Sequence, residues 1–233
     1  FLYDTPINIE TTPNPGYEFQ HWTNSNGTVI VEQTAFNHTV VEDKTFIAVY
    51  DAIEYTMTAT AETGGSVDPA SQTYIIDDEV SVSATASIGY QFTGWNVVSG
   101  SVPSGVDLTS ATLTFNALPN DVELLATFEA IEYTMTATAT EGGSVSPETE
   151  TFTVEDAVTV TATADAGYEF VEWEAVSGVD VSDNESSVDG EFTFSGVAND
   201  VELNAVFEAI PYNFTVTAVP ENGGTFSATE DTY

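Results

Sequence analysis

The densest collection of possible ligands lies in the stretch Asp180-Val181-Ser182-Asp183-Asn184-Glu185-Ser186-Ser187-Val188-Asp189-Gly190-Glu191. It places five carboxylates, Asp180, Asp183, Glu185, Asp189 and Glu191, within one loop. Calcium takes six to eight hard oxygens from carboxylates and carbonyls, so this loop is a calcium candidate. Its spacing is not that of an EF-hand, however, and a related stretch, Ser99 to Leu108, carries only Asp107. A solvated acidic loop is the competing reading. The runs Asp77-Asp78-Glu79 and Glu155-Asp156 read the same way, as solvated turns. Nucleophilic and acid–base chemistry is harder to assemble. There is no cysteine and no arginine, and the two histidines, His21 and His38, have no repeated partners with which to build a zinc site. Carboxylate pairs are abundant, yet nothing marks one pair above another as a glycosidase couple. Lys44 is the single basic residue besides histidine, and it lies on the alternating face of a strand. A stem laid along the sheet edge, with the ammonium paired to Glu42 or Asp43, accounts for it. The sequence thus names no catalytic residue and no cofactor beyond possible calcium.

Charge narrows the partners. Against 38 acidic residues the chain sets one lysine, for a formal net charge of −37. Nucleic acids and anionic membranes need basic patches, so neither is expected as a partner. Self-repulsion on this scale opposes compaction. Two settings relieve it: high salt, which shortens the screening length to about 3 Å at 1 M, as in a marine or halophilic source, or divalent cations bridging the carboxylates. Disorder does not follow, because 42% of residues are hydrophobic and 12% aromatic. Absence of cysteine rules out disulfide support. No apolar run is long enough to span a bilayer as a helix. Sequons at Asn26, Asn37, Asn184 and Asn213 are glycosylation candidates in a host that performs that chemistry.

The elements that must hold these residues recur. Gly-Tyr-x-Phe-x-x-Trp occurs three times, with Tyr17, Phe19 and Trp22, then Tyr90, Phe92 and Trp95, then Tyr168, Phe170 and Trp173. These nine aromatics form the expected core, with sugar-stacking platforms as the rival reading of the tryptophans. Ile53 to Ala61 returns as Ile131 to Ala139, and in altered form as Ile210 to Ala218. Gly-Gly pairs at Gly64-Gly65, Gly142-Gly143 and Gly223-Gly224 keep the same spacing. Self-similarity at a fixed period makes each copy one small folding unit.

Within a copy the period is two. Tyr55, Met57, Ala59 and Ala61 alternate with threonines, Val80, Val82, Ala84 and Ala86 with Ser and Thr, and Val122, Leu124, Ala126 and Phe128 with Glu123, Leu125 and Thr127. Such alternation turns one set inward. Gly-Gly and Asn-Asp (Asn120-Asp121, Asn199-Asp200) fall between strands, where tight turns favour positive φ. No stretch has a helical period. The reading is all-β: a tandem array of small, about 78-residue, β-sheet or sandwich modules forming an elongated rod. The boundaries are a partial repeat over 1–52 lacking its first hairpin, complete repeats over 53–130 and 131–209, and a first hairpin alone over 210–233. Short junctions such as Glu129-Ala130-Ile131-Glu132-Tyr133 contain neither Gly nor Ser, which favours a stiff rod roughly 90–100 Å long.

The first partial repeat begins, and the last one stops, at the same phase, Phe1 and Tyr233 both falling opposite Tyr74. Two readings stay open. The chain is a piece of a longer array, or the C-terminal segment of one subunit completes the N-terminal segment of the next by strand addition. In the second case Tyr212, Phe214 and Val216 would fill a groove left by residues 1–52.

Tyr-x-Met-Thr-Ala-Thr-Ala, Gly-Gly-Ser-Val-x-Pro, Val-x-Val-x-Ala-Thr-Ala, Gly-Tyr-x-Phe-x-x-Trp and a final Ala-x-Phe-Glu resemble the divergent internalin-type B-repeat family of microbial surface proteins. The clearest copies run from Tyr55 to Glu129 and from Tyr133 to Glu208. The resemblance implies compact β modules strung in arrays on secreted or cell-surface proteins, with no catalytic residues to transfer. The first copy departs from it, with Lys44 where the others have Val122 and Val201. The expectation is a non-enzymatic extracellular stalk or filament, self-associating head to tail or embedded in a longer chain. The alternative is an adhesion module for surface glycans or calcium-mediated cell contact.

Overall fold

A computed structural model describes residues 2–181, 190–216 and 224–225. The chain divides into two compact units, Phe1–Glu132 and Tyr133–Tyr233. All regular elements among the described residues are strands.

The first unit opens with β1 (Thr5–Glu10), β2 (Tyr17–Thr23), β3 (Val29–Val31), β4 (Ala35–Val40) and β5 (Ile47–Ala52). It continues with β6 (Tyr55–Ala61), β7 (Gly65–Asp68), β8 (Ser71–Tyr74), β9 (Glu79–Ala86), β10 (Tyr90–Ser99), β11 (Thr112–Asn116) and β12 (Val122–Ala130). Strands β6 to β12 form one complete repeat. A four-stranded sheet in the order β10-β12-β6-β8 is matched by a three-stranded sheet in the order β11-β9-β7. Alternation puts Met57, Val80, Val82, Leu113, Leu124 and Trp95 in a core where each is at most 3% exposed. Small domains bury little surface in total, so these few large side chains carry much of the stability.

The central pairing is parallel. Strands β12 and β6 lie side by side with Val122 opposite Met57, Leu124 opposite Ala59 and Ala126 opposite Ala61. The second unit repeats the design with β13 (Tyr133–Ala139), β14 (Gly143–Ser146), β15 (Thr149–Phe152), β16 (Ala157–Ala164), β17 (Tyr168–Ser177), β18 (Glu191–Ser195) and β19 (Val201–Ala209). Its sheets run β15-β13-β19-β17 and β14-β16-β18. Strand β13 again lies parallel to β19, with Met135 opposite Val201.

A bulge explains the aromatic motif. Phe92 and Trp95 are three residues apart, so strict alternation would send them to opposite faces. The register slips between Phe92 and Gly94, and Trp95 turns inward opposite Ala126. The same slip occurs between Phe170 and Glu172 and between Phe19 and His21. In each copy the Phe then meets the Trp and one ring of the last strand: Phe92 stands 5.8 Å from Trp95 and 5.7 Å from Phe128.

The glycine pairs do more than turn the chain. Gly64 has φ +102°, and a Cβ there would lie 2.3 Å from Tyr90 Cδ1. Gly65 is needed for space alone, since its Cβ would lie 2.2 Å from Phe128 Cζ. Gly142 and Gly143 meet Tyr168 and Phe207 in the same way. The Asn-Asp pairs also differ from expectation. Among the described residues only Asp4 and Asp77 combine a side chain with positive φ. Asn120 donates from Nδ2 to the carbonyl of Ser101, and Asp121 Oδ1 accepts the N–H of Thr56. These side chains tie strand ends together rather than supply a left-handed turn.

Candidate assembly site at an open sheet edge

Residues 2–52 contain counterparts of β9 to β12 but, among the described residues, none of β6, β7 or β8. The pairings Phe19–Tyr50 and Trp22–Ala48 match Phe92–Phe128 and Trp95–Ala126. Lys44 therefore corresponds to Val122 and Val201, Phe46 to Leu124 and Leu203, and Asp43 to Asp121 and Asp200. With no neighbour of the β6 type, the sheet order is β3-β2-β5 and one edge of β5 stays open.

That open edge changes the strand itself. β12 begins at Val122, whereas β5 begins only at Ile47, so residues 43–46 fall outside the ladder. Ile7, His38, Val40, Lys44 and Phe46 line a cavity of about 230 Å³. Phe36, His38, Lys44 and Phe46 border a second of about 370 Å³. Phe36 and His38 pair with Ile9 and Ile7, where the complete repeat has Leu113 and Phe115 opposite Val82 and Val80. His38 packs edge-on to Phe46 at 5.0 Å, and its Nε2 is enclosed without a hydrogen-bond partner. Lys44 Nζ lies 2.8 Å from Glu42 Oε1, and both side chains are substantially exposed. The ammonium's hydrogen bond and charge hold the Glu42 carboxyl below its ordinary range.

Residues 212–216, which match the first five residues of β6 and β13, are laid bare. Tyr212 is 80% exposed, Phe214 85% and Val216 41%. Their counterparts Met57 and Met135 are fully buried, and Ala59 and Ala137 nearly so. Residues 211–216 form no strand.

Trp22, Trp95 and Trp173 are buried, which removes them as stacking platforms. The indole N–H groups of Trp22 and Trp95 donate to the carbonyls of Gln33 and Ser110. Phe19, Phe92 and Phe170, with Tyr90 and Tyr168, are half-buried. Tyr17 departs from the core expectation at 38% exposed. Tyr90 and Tyr168 lie over Gly64 and Gly142, just before β7 and β14, and among the described residues no glycine lies in that way against Tyr17.

Of the acidic loop, Asp180 and Glu191 are exposed, while Asp183, Glu185 and Asp189 lie outside the described residues. Among the described residues no three His, Asp or Glu side chains gather in a metal-binding group. The sequon residues Asn26, Asn37 and Asn213 are exposed, and Asn184 lies outside the described residues. The turn acids act locally. Asp78 Oδ2 accepts the N–H of Ile75. Asp156 Oδ2 accepts both the N–H and the hydroxyl of Thr153, which hold its carboxyl below the usual range, the backbone bond most.

Sequence reasoning missed the clamp on the paired strand. Asp121 Oδ1 accepts the N–H of Thr56 at 2.8 Å, and Asp200 Oδ1 that of Thr134 at 2.9 Å. The recurrence of Asn-Asp just before the last strand is the signal that could have shown it. Junctions share a further bond: Ile53, Ile131 and Ile210 each donate N–H to the carbonyl of the glycine in the preceding aromatic motif, Gly16, Gly89 and Gly167, at 2.8–2.9 Å.

Two complete copies of one small sandwich, preceded by a copy whose described residues show the counterparts of β9 to β12, define a tandem β-repeat protein. The divergent InlB B-repeat domain matches residues 2–54, 55–132 and 133–211, and the chain belongs to that family. No curated protein matches the chain by sequence. Among solved structures it is similar to the pilus adhesin SpaC from Lactobacillus rhamnosus GG in its open conformation, at 10% identity and a TM-score of 0.27, over 91% of this chain and 44% of that one. The chain thus spans less than half the length of that adhesin. No helix among the described residues is long and apolar enough to cross a membrane.

Proposed function

We propose that the chain is a non-enzymatic, extracellular or cell-surface repeat protein whose modules serve as a stalk or filament body. Membership of the B-repeat family supports the surface setting. One observation carries the structural role: the last strand of every copy ends in a short junction closed by the same Ile-to-Gly backbone bond. Such a bond pins the chain where it leaves each module, as a Gly/Ser linker would not.

The finer reading is assembly by strand complementation. Residues 213–216 of one copy would enter beside 43–46 of another, as β6 enters beside β12. An unpaired edge is a template for such addition. The chain has no cysteine, so a disulfide can report the register cleanly. Thr45 and Thr215 correspond to Glu123 and Thr58, which face each other across the parallel pair, both exposed. A Thr45→Cys/Thr215→Cys chain is expected to form a covalent ladder of multimers on mild oxidation, whereas Thr45→Cys/Asn213→Cys, out of register, is not. Light scattering and negative-stain images across NaCl concentrations would show head-to-tail fibres that grow as salt screens the like charges. Monomers at every salt, with no ladder, would sink the complementation reading and leave a repeat of a longer stalk.

A further inference from the structure

Repeats of similar sequence face a problem of selectivity. Strands β6 and β13 have the same sequence, Tyr-Thr-Met-Thr-Ala-Thr-Ala, so any groove accepting one accepts the other. A segment offered by a neighbouring molecule could displace an internal strand, which is the route to domain swapping. The open groove and the exposed segment both depart from the repeat pattern, and they do so at the same layers.

Superposing the internal pairings on the open edge sets Phe214 opposite Lys44, Thr215 opposite Thr45 and Val216 opposite Phe46. The corresponding internal pairs are Met57–Val122 and Ala59–Leu124, and Met135–Val201 and Ala137–Leu203. On one side Met becomes Phe and Ala becomes Val; on the other Val becomes Lys and Leu becomes Phe. Lys44 is the chain's single lysine. It stands in the first residue pair of the register, at the rim, where its stem can lie on a ring while its ammonium keeps Glu42 as partner. A cation over an aromatic face is attracted by the ring quadrupole. Asp43 completes the match. Its counterparts Asp121 and Asp200 hold the N–H of Thr56 and Thr134, and in the same place Asp43 would receive the N–H of Asn213.

Resting on the complementation reading, we propose that a second copy of this chain docks residues 212–216 along 43–46, with Phe214 laid on the Lys44 side chain. This pair, rather than the shared strand pattern, selects the entering segment. The internal grooves exclude it for a steric reason. Val122 and Val201 are at most 1% exposed opposite buried methionines, and a phenylalanine there would overpack the layer. The groove at Lys44 in turn receives Met poorly, because a thioether offers the ammonium no aromatic face.

The test uses the full chain, in which self-association is measured by sedimentation at fixed salt for Lys44→Gln, Phe214→Met and the double variant. Each single change is expected to weaken association on the order of tenfold, and the double change no more than either alone, because both remove one contact. Asp43→Asn should weaken it as well. If Lys44→Gln and Phe214→Met associate like the parent while the Thr45→Cys/Thr215→Cys ladder still forms, the selecting pair is wrong and complementation stands. If neither ladder nor association is seen, both are wrong. Circular dichroism of each variant guards against loss of fold.

Discussion

β5 and β12 occupy the same place in two copies of one fold, but among the described residues β12 is paired on both edges and β5 on one. Where β6 is present, the ladder runs from Val122, the aspartate before it clamps a backbone N–H, and Val122 and Leu124 are sealed at 1% exposure. Beside β5, where the described residues place no such strand, residues 43–46 leave the ladder, the inner face opens into cavities, and Tyr17 lies exposed. The difference teaches that the leading strands β6 to β8 are a structural part of the repeat, and that they do not form the hairpin the sequence suggested, since β6 pairs with β8 and β12 while β7 pairs with β9. They supply an inner and an edge strand of one sheet, an edge strand of the other, and the glycine platform on which Tyr90 and Phe128 sit.

Substitutions can break this comparison or sharpen it. The largest effect is expected from Trp95→Ala or Trp173→Ala, at about 3–5 kcal/mol of the stability of the affected unit. Trp22→Ala should cost less, because its surroundings are already half open; denaturant unfolding of the three variants compares them. Equal losses would contradict the open-repeat description. Next comes Gly65→Ala, where the new methyl meets the Phe128 ring, at about 1–3 kcal/mol. Gly105→Ala is its control, since it has positive φ but nothing within 4 Å, and should show only backbone strain of about 1 kcal/mol. Asp121→Ala removes the acceptor for Thr56 and should cost about 1 kcal/mol, while Asp43→Ala should leave monomer stability unchanged. A difference that vanishes under fibre-forming salt would link Asp43 to assembly.

The smallest effect is a pH dependence. The Asp156 carboxyl is held below its ordinary value by the Thr153 N–H and hydroxyl. A carboxylate depressed in the folded state stabilises above its unfolded pKa, and the contribution fades as pH falls through the folded value. Thermal melts of the parent and Asp156→Asn should therefore converge on acidification. A constant gap would mean that Thr153 is held by something other than the charge.

Much of the fold was legible because period two and the threefold recurrence act locally. The sheets, the buried tryptophans and the phase of the repeat follow from residues within one copy. The bulge was written in the odd spacing of Phe92 and Trp95, though strict alternation hides it. Parallel pairing of β6 with β12 was not legible: its partners lie 65 residues apart, and neither strand's pattern says which edge it presents. The glycine platforms needed knowledge of which rings cross them. Lys44 and Phe214 stood out as departures from the repeat, but their meeting at one layer emerges only from the register of β12 on β6. The calcium expectation rested on a loop whose central acids lie outside the described residues.

The parallel pair has a mechanical consequence. The chain enters a complete repeat at the start of β6 and leaves it at the end of β12, and these adjacent strands point the same way. Tension applied along the polypeptide pulls them past each other lengthwise. All the hydrogen bonds between them then share the load at once, instead of parting one by one as in a zipper opened from its end. Each complete repeat is thus a shear clamp, and a joint formed at β5 by the same register would bear tension in the same manner.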